Sequence, residues 1–151
     1  MSLRVGILGC GRIAAHFHGP ILAAMPGVAV TALADSDPAN RRRLAYSAPG
    51  ANHYGDWQTP IDLGEVDAVV ICLPPSLHAP AAIAAFAAGC HVYVEKPMAL
   101  TLDDADALRP GVEDVDGEHD SEDRCRTGHD RPARRQDRHH DHIAVTHDVP
   151  E

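Results

Sequence analysis

The chain has 151 residues, room for one domain of ordinary size. Its 13 Lys and Arg stand against 22 Asp and Glu, a formal charge of −9, which excludes a general nucleic-acid binder, whose phosphate contacts need a basic face. Cysteines 10, 72, 90 and 125 form no CxxC pair and are too sparse for a disulfide scaffold, which points to a reduced, cytoplasmic setting. The longest apolar stretch, AAIAAFAAG, is too short to span a bilayer, and MSLRVGILG enters a strand pattern without a signal-peptide core.

Taken in chain order, LRVGIL (3–8), VAVTALA (28–34), DAVVICL (67–73) and HVYV (91–94) are short, nearly continuous apolar runs. Such runs read as strands buried on both faces of a parallel sheet. A weak additional strand is expected near Asn52–Tyr54. Helical stretches alternate with the strands. The first covers Arg12–Met25, broken or kinked at Pro20. The second is Pro38–Ala48, with Asp37 as N-cap. The third is about His78–Ala88, closed by Gly89, and Thr101 to Asp104 resembles a capping box that opens a fourth. Strand–helix alternation implies right-handed crossovers and an α/β fold with a doubly wound parallel sheet.

The composition changes near residue 108. Residues 109–151 hold eight AVILMFWYC residues, with no Leu, Met, Phe, Tyr, Trp or Lys. Such a segment buries too little apolar surface to offset its chain entropy and is expected to be disordered. Its His139, His140, Asp141 and His142, with Cys125 and His129, supply metal-ligand types but lack the paired spacing of a structural zinc site, so no metal is expected.

Directly after the first strand runs Gly9-Cys10-Gly11-Arg12-Ile13-Ala14. A bare GxGxxG pattern is weak evidence, but here it follows a strand and opens a helix, as a dinucleotide fingerprint must. Gly9 permits the tight turn, Gly11 admits a pyrophosphate close to the backbone, and Ala14 is small enough for helix and strand to pack. The pyrophosphate is expected on the free N–H groups of the helix start, at Arg12 and Ile13. Asp35 ends the second strand, where the fingerprint places an acid for the ribose hydroxyls. An acid there repels a 2′-phosphate and favours NAD over NADP. The run Arg41-Arg42-Arg43 reads as a solvated helix face, although one arginine could turn back toward a phosphate. In the loop CLPPSLH (72–78), Pro74 and Pro75 suit a wall beneath the cofactor, and His78 opens the next helix as a packing group or a cofactor contact.

GCGRIA, ALAD, the LPPSLH loop and above all VEKP together resemble the Gfo/Idh/MocA family of NAD(P)-dependent oxidoreductases, over about residues 3–108. The resemblance implies a Rossmann NAD(P)-binding domain followed in the family by a larger α/β substrate domain, and hydride transfer to or from sugars, inositols and related polyols. It makes Lys96 the catalytic residue, reaching the substrate oxygen beside the nicotinamide, with Glu95 pairing nearby and a cis Lys96–Pro97 bond expected. Nearby positive charge and partial burial are expected to depress the lysine pKa. The family has Thr-Pro-Asn or Thr-Pro-Pro where this chain has Leu73-Pro74-Pro75. Its second-domain pair, an aspartate four residues before a histidine, has no counterpart in the tail. The chain therefore reads as residues 1–108 of nucleotide-binding domain plus a tail with the composition of an out-of-frame product, either as part of an oxidoreductase or as a dinucleotide-binding module inactive alone. The sequence leaves the oligomeric state open. Apolar surface normally covered by the second domain is expected to be exposed.

Overall fold

Six parallel strands form one sheet in the order β3-β2-β1-β4-β5-β6. The structure, a computed structural model, describes residues 1–111 and 143–145. The strands are β1 (Leu3–Leu8), β2 (Val28–Ala34), β3 (Asn52–Tyr54), β4 (Ala68–Ile71), β5 (His91–Val94) and β6 (Ile143–Val145). The helices are α1 (Gly19–Ala24), α2 (Pro38–Leu44), α3 (Thr59–Asp62), α4 (His78–Ala87) and α5 (Leu102–Leu108). The order reverses between β1 and β4, so the doubly wound parallel sheet expected from the alternation is present, with a switch point at the carboxyl ends of those two strands.

Alternation along β1 and β2 divides the core between the two faces. Leu8, Ala32 and Ala34 pack with Ile71, Val94, Ala82, Phe86 and Leu108 on the face covered by α4 and α5. Ile7 and Leu33 pack with Cys10, Ala14 and Leu44 on the other face. On that second face, Ile13, Phe17, Ile21 and Met25 recur every four residues along the first helix and are all exposed.

Pro20 does not break that helix. The chain is helical from Arg12 to Ala24, and Ala14–His18 widens into one π-turn, in which Gly19 N–H donates to Ala14 O. Proline brings no N–H and its ring crowds the preceding turn; a π-turn just before it absorbs both effects. Asp37 caps α2 by accepting from Ala39 N at 2.7 Å, and Thr101 caps α5 by accepting from Asp104 N at 3.0 Å. α2 ends four residues earlier than expected, at Leu44, in a series of turn bonds from Ser47 N to Leu44 O and from Ala48 N to Ala45 O.

The segment expected to lack structure contributes a turn at Arg109–Gly111 and the edge strand β6, which pairs with β5 from Val92 to Val94. The remainder of that expectation, with the tail histidines and Cys125, lies outside the described residues. Among the described residues no helix is long and apolar enough to cross a membrane, and no cluster of His, Cys, Asp or Glu has the makings of a metal site.

Candidate functional site at the carboxyl ends of the strands

Four segments leave the carboxyl edge of the sheet side by side: the glycine loop after β1, Asp35 after β2, the proline loop after β4, and Glu95-Lys96-Pro97 after β5. The glycine loop is pinned first. Gly9 N–H donates to Ala34 O at 2.7 Å, and its φ of +92° is one that side-chain-bearing residues rarely adopt. A Cβ on Gly9 would lie 2.5 Å from the backbone carbon and oxygen of Cys72. Gly9 is thus demanded by the fold as well as by the turn.

Gly11 differs. A Cβ built there meets nothing within 4 Å, so the space beside it is open. Ala15 N–H donates back to Gly11 O at 3.0 Å and starts the helical ladder. The first turn leaves its earlier amides, those of Arg12 and Ile13 included, without helical partners and pointed outward. Both residues are exposed, while Ala14 is buried against β1 and β2 as the small third position requires. The residues present fit a diphosphate: an open approach over Gly11, lined by amides at a helix start.

Asp35 is held by three hydrogen bonds. One carboxylate oxygen accepts from Cys10 N at 2.8 Å and from Asn40 Nδ2 at 3.2 Å, and the other accepts from Asp37 N at 2.8 Å. A carboxylate offers about four acceptor positions, so one remains for a hydroxyl. The acid therefore fixes the glycine loop and still fits a ribose. Arg41 departs from the solvated face expected of the run: it donates to the Asp35 carbonyl oxygen, and its buried Nε has no hydrogen-bond partner. Beside this corner burial, then the Asp35 charge, pushes the Cys10 thiol up to about 12, and burial, then Glu95, pushes Cys72 up to about 12. Neither thiol is a nucleophile at neutral pH.

Pro74 and Pro75 are exposed on the loop after β4 and open a 3₁₀ turn over Pro75–Leu77, with Leu77 N–H donating to Pro74 O at 2.8 Å. Of the two readings of His78, its surroundings favour the packing group. It is 1% exposed, with Nδ1 2.7 Å from Pro97 O and Nε2 2.7 Å from Leu73 O. Both ring nitrogens face backbone carbonyls, so the side chain is packed as a polar group behind the two loops.

The Lys96–Pro97 bond is cis, as expected. Glu95 pairs with His18: Nε2 of His18 lies 2.6 Å from Oε1, and Lys96 N–H donates to Oε2 at 3.3 Å. Lys96 is exposed, so the partial burial expected around it is not present in this chain. Sequence reasoning missed His18. It stands in the π-turn after the glycine loop, 77 residues from its partner, and its ring meets the edge of Tyr93 with centroids 5.2 Å apart. A histidine one turn beyond a nucleotide fingerprint was the available signal, but only the tertiary fold brings it to Glu95.

Comparisons with known proteins agree with this geometry. Residues 3–113 match the Gfo/Idh/MocA model, described as an oxidoreductase family with an NAD-binding Rossmann fold. The chain is 37% identical over 108 residues to inositol 2-dehydrogenase of Leifsonia xyli subsp. xyli, covering 72% of this chain and 31% of that protein. It is 38% identical over 113 residues to dTDP-3,4-didehydro-2,6-dideoxy-alpha-D-glucose 3-reductase of Streptomyces antibioticus, covering 75% and 32%. Among solved structures, WlbA dehydrogenase from Bordetella pertussis, in complex with NADH and UDP-GlcNAcA, superposes with a TM-score of 0.64 at 30% identity, over 72% of this chain and 33% of that one. A mutant of KijD10, a 3-ketoreductase from Actinomadura kijaniata, in complex with TDP-benzene and NADP, gives 0.65 at 33% identity over the same shares. The chain spans about a third of the length of the curated relatives it matches. An open glycine loop at a helix start, an acid after β2 and a lysine after β5, matched over residues 3–113, place this chain in the Gfo/Idh/MocA oxidoreductase family, as its NAD-binding Rossmann part.

Proposed function

We propose that the chain binds a nicotinamide dinucleotide across the carboxyl edge of β1, β2, β4 and β5, and serves as the nucleotide-binding part of a dehydrogenase for inositols, sugars or related polyols. The observation that carries this reading is the contrast within the glycine loop, where Gly9 is packed against backbone and Gly11 faces open space. The amides of the first helical turn and Gly11 hold the diphosphate. Asp35 takes the ribose hydroxyls with its remaining acceptor position, and Pro74 and Pro75 form the wall under the nicotinamide half.

NAD supplies the hydride acceptor for a substrate alcohol. The chain's own contribution to that chemistry is Lys96. Its ammonium donates a hydrogen bond to the substrate oxygen and stabilises negative charge as the oxygen loses its proton. Substrate-binding groups and the acid–base partner belong to the part of the family enzyme beyond this domain. The described residues supply the dinucleotide-binding part of that reaction. NAD is the preferred cofactor, because the Asp35 carboxylate repels a 2′-phosphate. Arg41, folded against the Asp35 carbonyl, supports NADP as a second, weaker ligand.

The test is NADH fluorescence titrated against the chain, with ADP-ribose as competitor. Enhanced fluorescence that ADP-ribose displaces supports the reading. A chain that folds and changes the fluorescence of neither NADH nor NADPH refutes it.

A further inference from the structure

The backbone ladder of the sheet ends one residue before Lys96. The last ladder bond of this edge runs from Glu95 N to Ile71 O at 3.0 Å, and residues 96–98 form a bend. A side chain that must meet a substrate oxygen to within a fraction of an ångström needs more support than a strand end supplies. Support comes from each side of the lysine, and on each side it is a histidine. Before it, His18 contacts the Glu95 carboxylate at 2.6 Å, with both side chains mostly buried, and the imidazole packs in a T-shape with Tyr93, ring centroids 5.2 Å apart. After it, the buried His78 ring bridges Pro97 O and Leu73 O, each at 2.7 Å.

We propose that His18 and His78 are positioning residues that clamp Lys96 between the two loops forming the dinucleotide cleft. His18 ties Glu95 to the helix that starts at the glycine loop. His78 ties Pro97 to the residue before the Pro74–Pro75 wall. The lysine is thereby held in register with both the diphosphate end and the nicotinamide end of the cleft. Both partners of His78 are carbonyls, which only accept, so the ring is the bridge between them. Removing the ring leaves two carbonyl oxygens without their donor.

The dinucleotide geometry invoked here rests on the proposed function, but the clamp is testable without any ligand. Lys96 is the sole lysine of the 151-residue chain. Reductive ¹³C-dimethylation therefore labels Lys96 and the N-terminal amine alone, and retains the positive charge. In the ligand-free protein the Lys96 methyl signals are expected to be dispersed from those of a denatured sample. In folded His18→Gln and His78→Asn variants they move toward the denatured position and sharpen. NADH affinity falls about fivefold or more in these variants while ADP-ribose affinity stays within about twofold, a split that general loosening of the fold does not produce. Should His78→Asn fail to fold, His18→Gln decides the matter. Unchanged Lys96 signals in the folded variants overturn the clamp. Loss of binding to both NADH and ADP-ribose in wild type refutes the dinucleotide reading instead, and the ligand-free signals still decide the clamp.

Discussion

Replacing Gly9 and Gly11 separately by alanine should give opposite results. Gly9→Ala forces a side-chain-bearing residue to a φ of +92°, which costs about 1–2 kcal/mol. It also drives a methyl group to 2.5 Å from the Cys72 carbonyl, where the obstacle is backbone of the adjoining strand end and cannot rotate away. Shifts of that kind cost about 1–3 kcal/mol more, for a total of about 2–5 kcal/mol against a domain stability of about 5–15 kcal/mol. Gly11→Ala meets no atom within 4 Å, so its effect on stability should stay within about 0.5 kcal/mol. Its methyl group does stand where a diphosphate must approach, and NADH affinity should fall at least about tenfold, or ~1.4 kcal/mol. Urea denaturation followed by circular dichroism measures the first quantity and NADH fluorescence the second. A stable Gly9→Ala, or a Gly11→Ala that binds NADH like wild type, would refute the division of labour between the two glycines.

Other substitutions probe the surroundings of the site. Asp35→Ala should narrow the NAD/NADP affinity ratio about tenfold or more and speed amide exchange at Cys10, its partner at 2.8 Å; an unchanged ratio with the loop equally protected counts against both roles. The thiols of Cys10 and Cys72 lie at about 12 when folded and near the ordinary thiol value when unfolded, so stability should be full below that ordinary value and fall as pH rises toward 12. Cys10→Ala should flatten that decline in alkaline urea titrations, and an equally steep decline contradicts the burial argument. Asp56 accepts from Gln58 N at 3.0 Å and Thr59 N at 2.8 Å at the start of α3, and the Thr59 bonds hold its carboxyl below the ordinary range. Asp56→Ala should cost about 1 kcal/mol at neutral pH. Because the folded pKa is depressed, that deficit should shrink as pH falls through it; a pH-independent deficit would point to packing instead.

How far the fold was legible depended on whether a signal was local. The strand runs were, because burial on both faces leaves a continuous apolar stretch, and β1, β2 and β5 begin and end where expected. β4 is shorter than DAVVICL because the ladder has one last bond, Cys72 N to Leu8 O at 2.7 Å, before the prolines turn the chain away. α3 was missed: at four residues it has no period to detect, and its only mark is Asp56 three residues ahead of Thr59. β6 has no amphipathic pattern either and exists through pairing with β5. The places of the glycine loop after β1 and of Asp35 after β2 were readable because they are set by spacing along the chain. The grip on Lys96 was not, since His18 and His78 act across 77 and 19 residues and through the backbone of their partners. The place of His78 in the loop left packing and cofactor contact open, and its burial favours packing.

The central claim is that the carboxyl edge of the sheet, and no other surface, receives a nicotinamide dinucleotide. A ¹H–¹⁵N amide map of the chain titrated with NADH tests it most directly. The account predicts shifts concentrated at 9–14, 35–37, 73–78 and 95–98, with the amides around Gly11, Arg12 and Ile13 moving most and the amino ends of β1, β2 and β4 unchanged. Saturable shifts confined to any other surface, or none at all from a folded protein, would contradict it.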